Sequence, residues 1–191
     1  MALRKIATIG HPVLRQVARA LSRDELASAA VQRLVDDLVE TMRDAAGAGI
    51  AANQVHEPVR ICVVEVSDNP RYPYKPNWPL TVLVNPAVIP TTAETFDNFE
   101  GCLSVPNLRG QVPRFTRVRV QAWDRTGAEV SLEVKGLTAG TFQHELDHLD
   151  GKLFVDGVVD TKTLCTWSDF ERFHKAAFVE RAKALIARFG S

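Results

Sequence analysis

The chain has 191 residues, and its 23 Lys plus Arg balance 23 Asp plus Glu, which leaves no overall electrostatic pull toward nucleic acid or an anionic membrane. No apolar run approaches the ~18 residues of a membrane span or the pattern of a signal peptide, so a soluble, unexported protein is expected. Cys62, Cys102 and Cys165 make an odd, widely spaced set that suits a reducing compartment rather than a disulfide framework, and one domain over residues 1–191 is expected at this length.

Residues 1–29 read as short and irregular, with turns at His11-Pro12 and at Ser22 to Glu25. From Ala30 to Ala45, Val31, Leu34, Val35, Leu38 and Met42 keep helical spacing while Arg33, Asp36, Asp37 and Glu40 take the other side. This predicts an amphipathic surface helix. It runs into Gly47-Ala-Gly-Ile-Ala-Ala-Asn-Gln54, small residues that allow close backbone approach. The stretch fits a loose dinucleotide-binding fingerprint, but that fingerprint requires a preceding strand and a helix precedes it here. Arg60 to Val66 and Thr81 to Val84 read as strands, with Cys62 a core residue. Between them Pro70, Pro73, Pro76 and Pro79 recur every third residue and carry Tyr72, Tyr74 and Trp78. That polyproline spacing predicts either a stiff surface loop or a lid over a groove.

Glu100-Gly-Cys-Leu-Ser-Val-Pro106 follows, where Cys102 has no apolar periodicity around it and is not an obvious core filler. Val118, Val120 and Ala122, then Val130, Leu132 and Val134, alternate with polar partners about an Asp124 to Gly127 turn, which predicts a β-hairpin. A helix is expected from about Thr138 to Asp150, with Gly151 as its stop. It carries His144-Glu-Leu-Asp-His148. Positions four apart lie about 40° from each other round a helix, so His144 and His148 project from one face as two ligands for a metal. Glu145 lies roughly 100° further on, where its carboxylate can reach a water activated at that metal and act as general base. The third ligand decides the class. A third His three positions after Gly151 would mark a metzincin, but Phe154 stands there. A downstream carboxylate of the thermolysin kind leaves Glu171 or Glu180, and Cys102 is the upstream candidate.

Asp169 to Phe189 predicts a second amphipathic helix, basic on its polar face. Short, mostly antiparallel strands with segregated helices describe an α+β fold packed around a central metal-binding helix, with N-terminal and C-terminal helices.

Three motifs, Gly47 to Gln54, Glu100 to Ser104 and Gln143 to His148, in that order, closely resemble the peptide deformylases. The resemblance runs over nearly the whole chain and includes Leu108 to Arg114. It implies removal of the formyl group from the N-terminal formyl-methionine of newly made polypeptides. By similarity, Cys102, His144 and His148 bind one divalent metal, Fe(II) in this family, with Zn(II), Ni(II) or Co(II) as possible substitutes. Glu145 would be the base, and the Gln54 side chain with the Leu103 backbone N–H would stabilise the oxyanion. Gly49 would pair with the substrate backbone, Arg109 would sit near the peptide's downstream end, and the methionine pocket would lie beside Leu137.

Two positions depart from the family pattern. Asn53 stands where many members have Pro, which would loosen the loop that carries Gln54. Gly140 stands one turn before His144 where larger side chains are usual, which would fray the helix start and widen the methionine pocket. The expected partners are formylmethionyl nascent chains, with transient ribosome contact, no sequence-specific nucleic acid and no membrane. The expected location is the cytoplasm. The long Pro-rich segment is similar to the organelle-like branch, which makes an organelle matrix the alternative. The competing functions are another His-Glu-x-x-His metallopeptidase and a non-catalytic metal-binding relative that docks nascent chains or the ribosome through the basic C-terminal helix.

Overall fold

A computed structural model describes residues 2–190. Two antiparallel sheets flank one helix, α3 (Gly136–Leu149). The larger sheet has the order β1-β2-β3-β6-β7, built from β1 (Gly49–Ala51), β2 (Ile61–Val66), β3 (Trp78–Pro90), β6 (Arg117–Trp123) and β7 (Glu129–Lys135). The smaller has the order β4-β5-β8, built from β4 (Thr95–Cys102), β5 (Val105–Phe115) and β8 (Cys165–Thr166). The expected α+β architecture around a central helix is the one observed. α3 touches every strand of the larger sheet and also β5, and it is buried on nearly every side, as a helix held between two sheets must be.

The hairpin expected from period-two alternation is β6 and β7, paired Arg117↔Lys135 through Trp123↔Glu129. Val118, Val120 and Val134 turn inward and pack with Phe142, Leu146 and Leu149 of α3. The N-terminal helix is α2 (Ala29–Asp44); its Leu34, Val35, Leu38 and Met42 form a second cluster with Ile50, Ile61 and Val63. The Ser22 to Glu25 stretch is more than a turn. Ser22 caps α1 (Arg23–Ala27), its side chain accepting from Glu25 N–H while the Glu25 carboxylate accepts from Ser22 N–H. His11-Pro12 likewise opens a short 3-10 turn, Pro12–Arg15.

Four other expectations are corrected. The second strand extends to Trp78–Pro90, well beyond Thr81 to Val84. β4 and β5 occupy a stretch from which no strand was expected. The C-terminal helix is three segments, α4 (Trp167–Asp169), a π-helical turn Phe170–His174 and α5 (Lys175–Phe189). The metal helix begins at Gly136 without fraying: Gly140 is buried, and a Cβ there would lie 3.0 Å from Asn98 Nδ2 and 3.2 Å from Phe96 Cζ. The room that glycine leaves is filled by β4.

Gly151 ends α3 in the left-handed region, φ +72°, and a Cβ there would lie 2.8 Å from the Arg15 carbonyl oxygen. The segment carrying Arg15 continues to Ala18, whose N–H donates to the Leu149 carbonyl at 2.8 Å, so chain crosses the helix end at backbone distance. A left-handed non-glycine residue costs roughly 1–2 kcal/mol, and crowding against backbone costs roughly 1–3 kcal/mol more. Gly151→Ala is expected to lose about 2–5 kcal/mol in urea unfolding; a loss under about 0.5 kcal/mol would show that the crossing does not constrain the helix end.

Candidate metal centre and active-site cavity

Cys102 ends β4, and the two-residue turn Leu103-Ser104 returns the chain into β5. The turn brings the thiol against α3, where Cys102 Sγ lies 3.2 Å from His148 Nε2. The donor atoms of Cys102, His144 and His148 all fall within 4.8 Å of one another, a group able to hold a metal ion. Glu171 and Glu180 do not join it; their carboxylates pair with Lys175 at 2.8 Å and Lys183 at 2.8 Å.

His144 is oriented by Glu100, two residues before Cys102 on the same strand. Glu100 Oε2 lies 2.9 Å from His144 Nδ1, which turns His144 Nε2 toward the thiol. Arg114 holds the carboxylate with Nε at 2.7 Å and Nη2 at 3.0 Å, and its Nη1 reaches Asp147 of α3 at 2.6 Å. Burial acts to raise Glu100, but the charge and hydrogen bond of Arg114 with that of His144 hold it far below the usual carboxylate range. Burial likewise opposes a charged His144, yet hydrogen bonds to Cys102 and Glu100, with their charge, hold it well above its ordinary value. Burial and the neighbouring His144 push His148 well below. The field that favours a proton at His144 also favours a cation at the ligand set. The residues therefore fit a divalent metal: two imidazoles and one thiolate are borderline-soft donors, and Glu145 Oε2 beside them is buried without a hydrogen-bond partner.

Gln54 belongs to a 3-10 turn, Ala52–Val55, after β1. Its Oε1 accepts from Ala51 N–H at 2.8 Å, which points Nε2 at Ser104 Oγ, 3.0 Å, and Cys102 Sγ, 3.6 Å. The loop is not loosened by Asn53, which is fully buried and donates from Nδ2 to the His148 carbonyl. Gly49 lies in the edge strand β1, paired on one side to Val64. A Cβ on Gly49 would lie 2.5 Å from Glu145 Oε1. Glu145 is 4% exposed, and burial, opposed by His144 and Lys75, raises its carboxyl to about 7.

A cavity opens beside these groups, with Gly49, Gln54, Cys102, Leu103 and Glu145 in its wall. The Pro-rich segment serves as a lid rather than a detached surface loop, since Tyr72, Tyr74 and Lys75 also line the cavity. Arg109 lines it too, but is 1% exposed beneath that roof. Its guanidinium stacks on Phe170 at 4.0 Å and Trp167 at 4.6 Å and donates to the Phe99 carbonyl at 2.6 Å. Leu137 stands apart from the cavity, packed with Phe99, Phe170, Phe178 and Ala182. Sequence reasoning gave no role to Glu100, Ser104 or Arg114. The signal available was the Glu100/Cys102 spacing, readable only once a strand is assigned there.

The family model for polypeptide deformylase matches residues 3–163. The chain belongs to the polypeptide deformylase family. Peptide deformylase 1 of Prochlorococcus marinus is 41% identical over 162 residues, 84% of this chain and 83% of that one. Peptide deformylase 2 of Nostoc sp. is 39% identical over 166 residues, 87% and 92% of the two chains. A Met-Ala-Ser-bound class I type b peptide deformylase from Acinetobacter baumannii superposes with TM-score 0.79 at 38% identity, over 82% of this chain and 99% of that one. A peptide deformylase from Legionella pneumophila gives TM-score 0.73 at 32% identity over 98% of this chain and 99% of that one, a match that extends beyond residue 163 into the C-terminal helix. Membership in this metal-dependent family agrees with the Cys102, His144 and His148 group. No helix among the described residues is long and apolar enough to cross a membrane.

Gly49→Ala tests the contact between the edge strand and Glu145. The variant is expected to stay folded, because the Glu145 side chain can swing aside, but to lose at least about tenfold in kcat through displacement of that carboxylate. Activity within twofold of the parent, by formate release from formyl-Met-Ala-Ser, would show that Glu145 does not need its present position.

Proposed function

We propose that this chain hydrolyses the formyl group from N-terminal formyl-methionine of newly made polypeptides, releasing formate. The observation that carries the reading is the unpartnered, buried Glu145 carboxylate between the edge strand β1 and the Cys102, His144 and His148 group. A divalent ion held by those three residues supplies Lewis acidity and makes water a nucleophile near neutral pH.

The protein's own groups do the rest. β1 pairs with β2 on one side only, so Gly49 presents its other edge to the cavity and can hydrogen-bond an extended peptide backbone as an added strand. The Gln54 Nε2 and the Leu103 N–H are the donors for negative charge that develops on the formyl oxygen. Gln54 is set for this because its own carbonyl is fixed on Ala51 N–H. Glu145 accepts a proton as water adds to the formyl carbon, then delivers it to the departing amine as the C–N bond breaks. A carboxyl raised to about 7 exchanges protons readily near neutral pH. Arg109, under Trp167 and Tyr72, forms the downstream wall of the cavity. The work is placed in the cytoplasm, on chains emerging from the ribosome.

Glu145→Gln is expected to keep stoichiometric metal and to lose roughly 10² to 10⁴ in kcat. A variant with near-parental turnover, or one inactive only because it has lost metal, sinks the assignment of the base.

The resident metal is assigned as Fe(II), although the ligands alone suit zinc and the affinity order places zinc above ferrous iron. Cells can load the weaker binder through availability. Protein loaded with Fe(II) without oxygen is expected to be highly active and to decay in air as iron and Cys102 oxidise, with the Ni(II) form active and stable and the Zn(II) form stable but slow. Cys102→Ala is expected to lose the metal by elemental analysis while Cys62→Ala keeps it. A zinc form that matches the iron form on formyl-Met-Ala-Ser makes iron the wrong assignment.

A further inference from the structure

Residues 70–77 cross the cavity as a strap tied down at both ends. Asn69 Nδ2 donates to the carbonyls of Ala46 at 3.1 Å and Gly47 at 3.0 Å, and Asp68 N–H donates to Asn77 Oδ1 at 3.0 Å. Its aromatic residues meet the C-terminal segment edge-on, Tyr72 against Trp167 at 6.2 Å and Tyr74 against Phe178 at 5.3 Å. What the strap carries inward is a lysine. Lys75 Nζ donates to Thr141 Oγ1 at 2.8 Å and lies 4.9 Å from the Tyr72 ring centroid.

Thr141 is on α3, one turn before His144, and its hydroxyl donates in turn to the Leu137 carbonyl at 3.4 Å. An ammonium has three donors, and Thr141 is its hydrogen-bond partner among the described residues. Two of its protons therefore have no hydrogen-bond partner among the described residues, and Lys75 lines the cavity. Polar groups stand near them: Asn98 and Thr141 line the same space as Gly140, and Asn98 is fixed by its bond to Glu100 Oε1 at 3.0 Å. A formyl carbon at the ligand set, with backbone along Gly49, leaves the first side chain to fall against this turn of α3.

We propose that Lys75 is a specificity-determining residue that donates a hydrogen bond to the tip of the first side chain, so that the pocket favours residues ending in an acceptor, such as methionine sulfoxide or glutamine, over an apolar isostere such as norleucine. Burial lowers the ammonium to about 8, with Glu100 and Glu145 pulling the other way, so the group is mostly charged at pH 7. A pocket holding a buried donor penalises a ligand that leaves it unpaired. This inference rests on the deformylase reading for where the peptide lies.

The test compares kcat/KM for formyl-Gln-Ala-Ser, formyl-methionine-sulfoxide-Ala-Ser, formyl-Met-Ala-Ser and formyl-norleucyl-Ala-Ser in the parent and in Lys75→Met and Lys75→Gln. The glutamine-to-norleucine and sulfoxide-to-norleucine ratios are expected to fall about tenfold in Lys75→Met, with Lys75→Gln between, as loss of one charge-assisted hydrogen bond requires. Calorimetric binding of Gln-Ala-Ser and norleucyl-Ala-Ser to the metal-loaded parent reads the same preference without turnover and without any variant. Ratios within twofold of the parent in Lys75→Met, or tighter binding of norleucyl-Ala-Ser than of Gln-Ala-Ser by the parent, overturn the role of Lys75. Absence of turnover on every formyl peptide with Fe(II) under anaerobic conditions would instead retract the deformylase reading, while the binding comparison still decides whether Lys75 reads the side chain.

Discussion

The site depends on one buried carboxylate. Glu100 is 4% exposed and has both oxygens engaged, Oε1 by Arg114 and Asn98, Oε2 by Arg114 and His144. Without Arg114 such a burial would cost several kcal/mol, and without Glu100 the imidazole of His144 would have no partner to fix its tautomer. Arg114 comes from β5 and also grips Asp147 of α3. Sheet and helix are thus locked by the same charges that aim the ligand. The pair adds little net stability, because desolvation consumes most of its attraction. What it provides is one orientation of His144 relative to Cys102.

Around this fixed centre, access is shaped by backbone rather than by side chains. β1 is only three residues long and carries no side chain at Gly49, so Glu145 can sit against the strand that would receive a peptide. The strap and the Trp167 to Phe170 turn close the other side. The π-helical turn, Phe170–His174, belongs to that closure: it brings Phe170 beneath the Arg109 guanidinium and Phe99. Such turns recur where a helix must re-aim a side chain, and here the re-aimed residue fills the floor under a buried cation.

Much of this was legible in the residues. The β6–β7 hairpin and α2 follow directly from periods of two and 3.6, and His144 and His148 declare themselves by spacing alone. The failures have physical reasons. β4 and β5 contain Asp97, Asn98, Gly101, Asn107, Gly110 and Pro113, residues that local propensity assigns to turns. They are strands because each supplies the other's ladder, with a bulge between Gly101 and Cys102, a non-local fact no window can see. Glu100 went unread for the same reason. β8 exists only as a partner for Leu108 and Arg109. The role of Leu137 rests on resemblance alone; here Phe178 and Ala182 of α5 pack with it.

The departures at residues 53 and 140 are better understood as fitted substitutions than as relaxations. Asn53 lacks the rigidity of proline but gains a donor, which it uses on the His148 carbonyl at the end of the ligand helix, so the loop is anchored by a hydrogen bond instead of by a ring. Gly140 lowers helix propensity, yet the strand side of the helix occupies the space released, with Asn98 Nδ2 and Phe96 Cζ both close enough to touch a Cβ. Asn98 can stand there because Glu100 accepts its amide proton. A glycine on α3 and a polar residue on β4 therefore require each other: a larger residue at 140 would push Asn98 off Glu100, and an apolar branched residue at 98 would meet the helix without the compensating hydrogen bond. The same exchange adds the Asn98 amide to the cavity wall that Thr141 also lines, and Thr141 is the partner that holds the buried Lys75 ammonium.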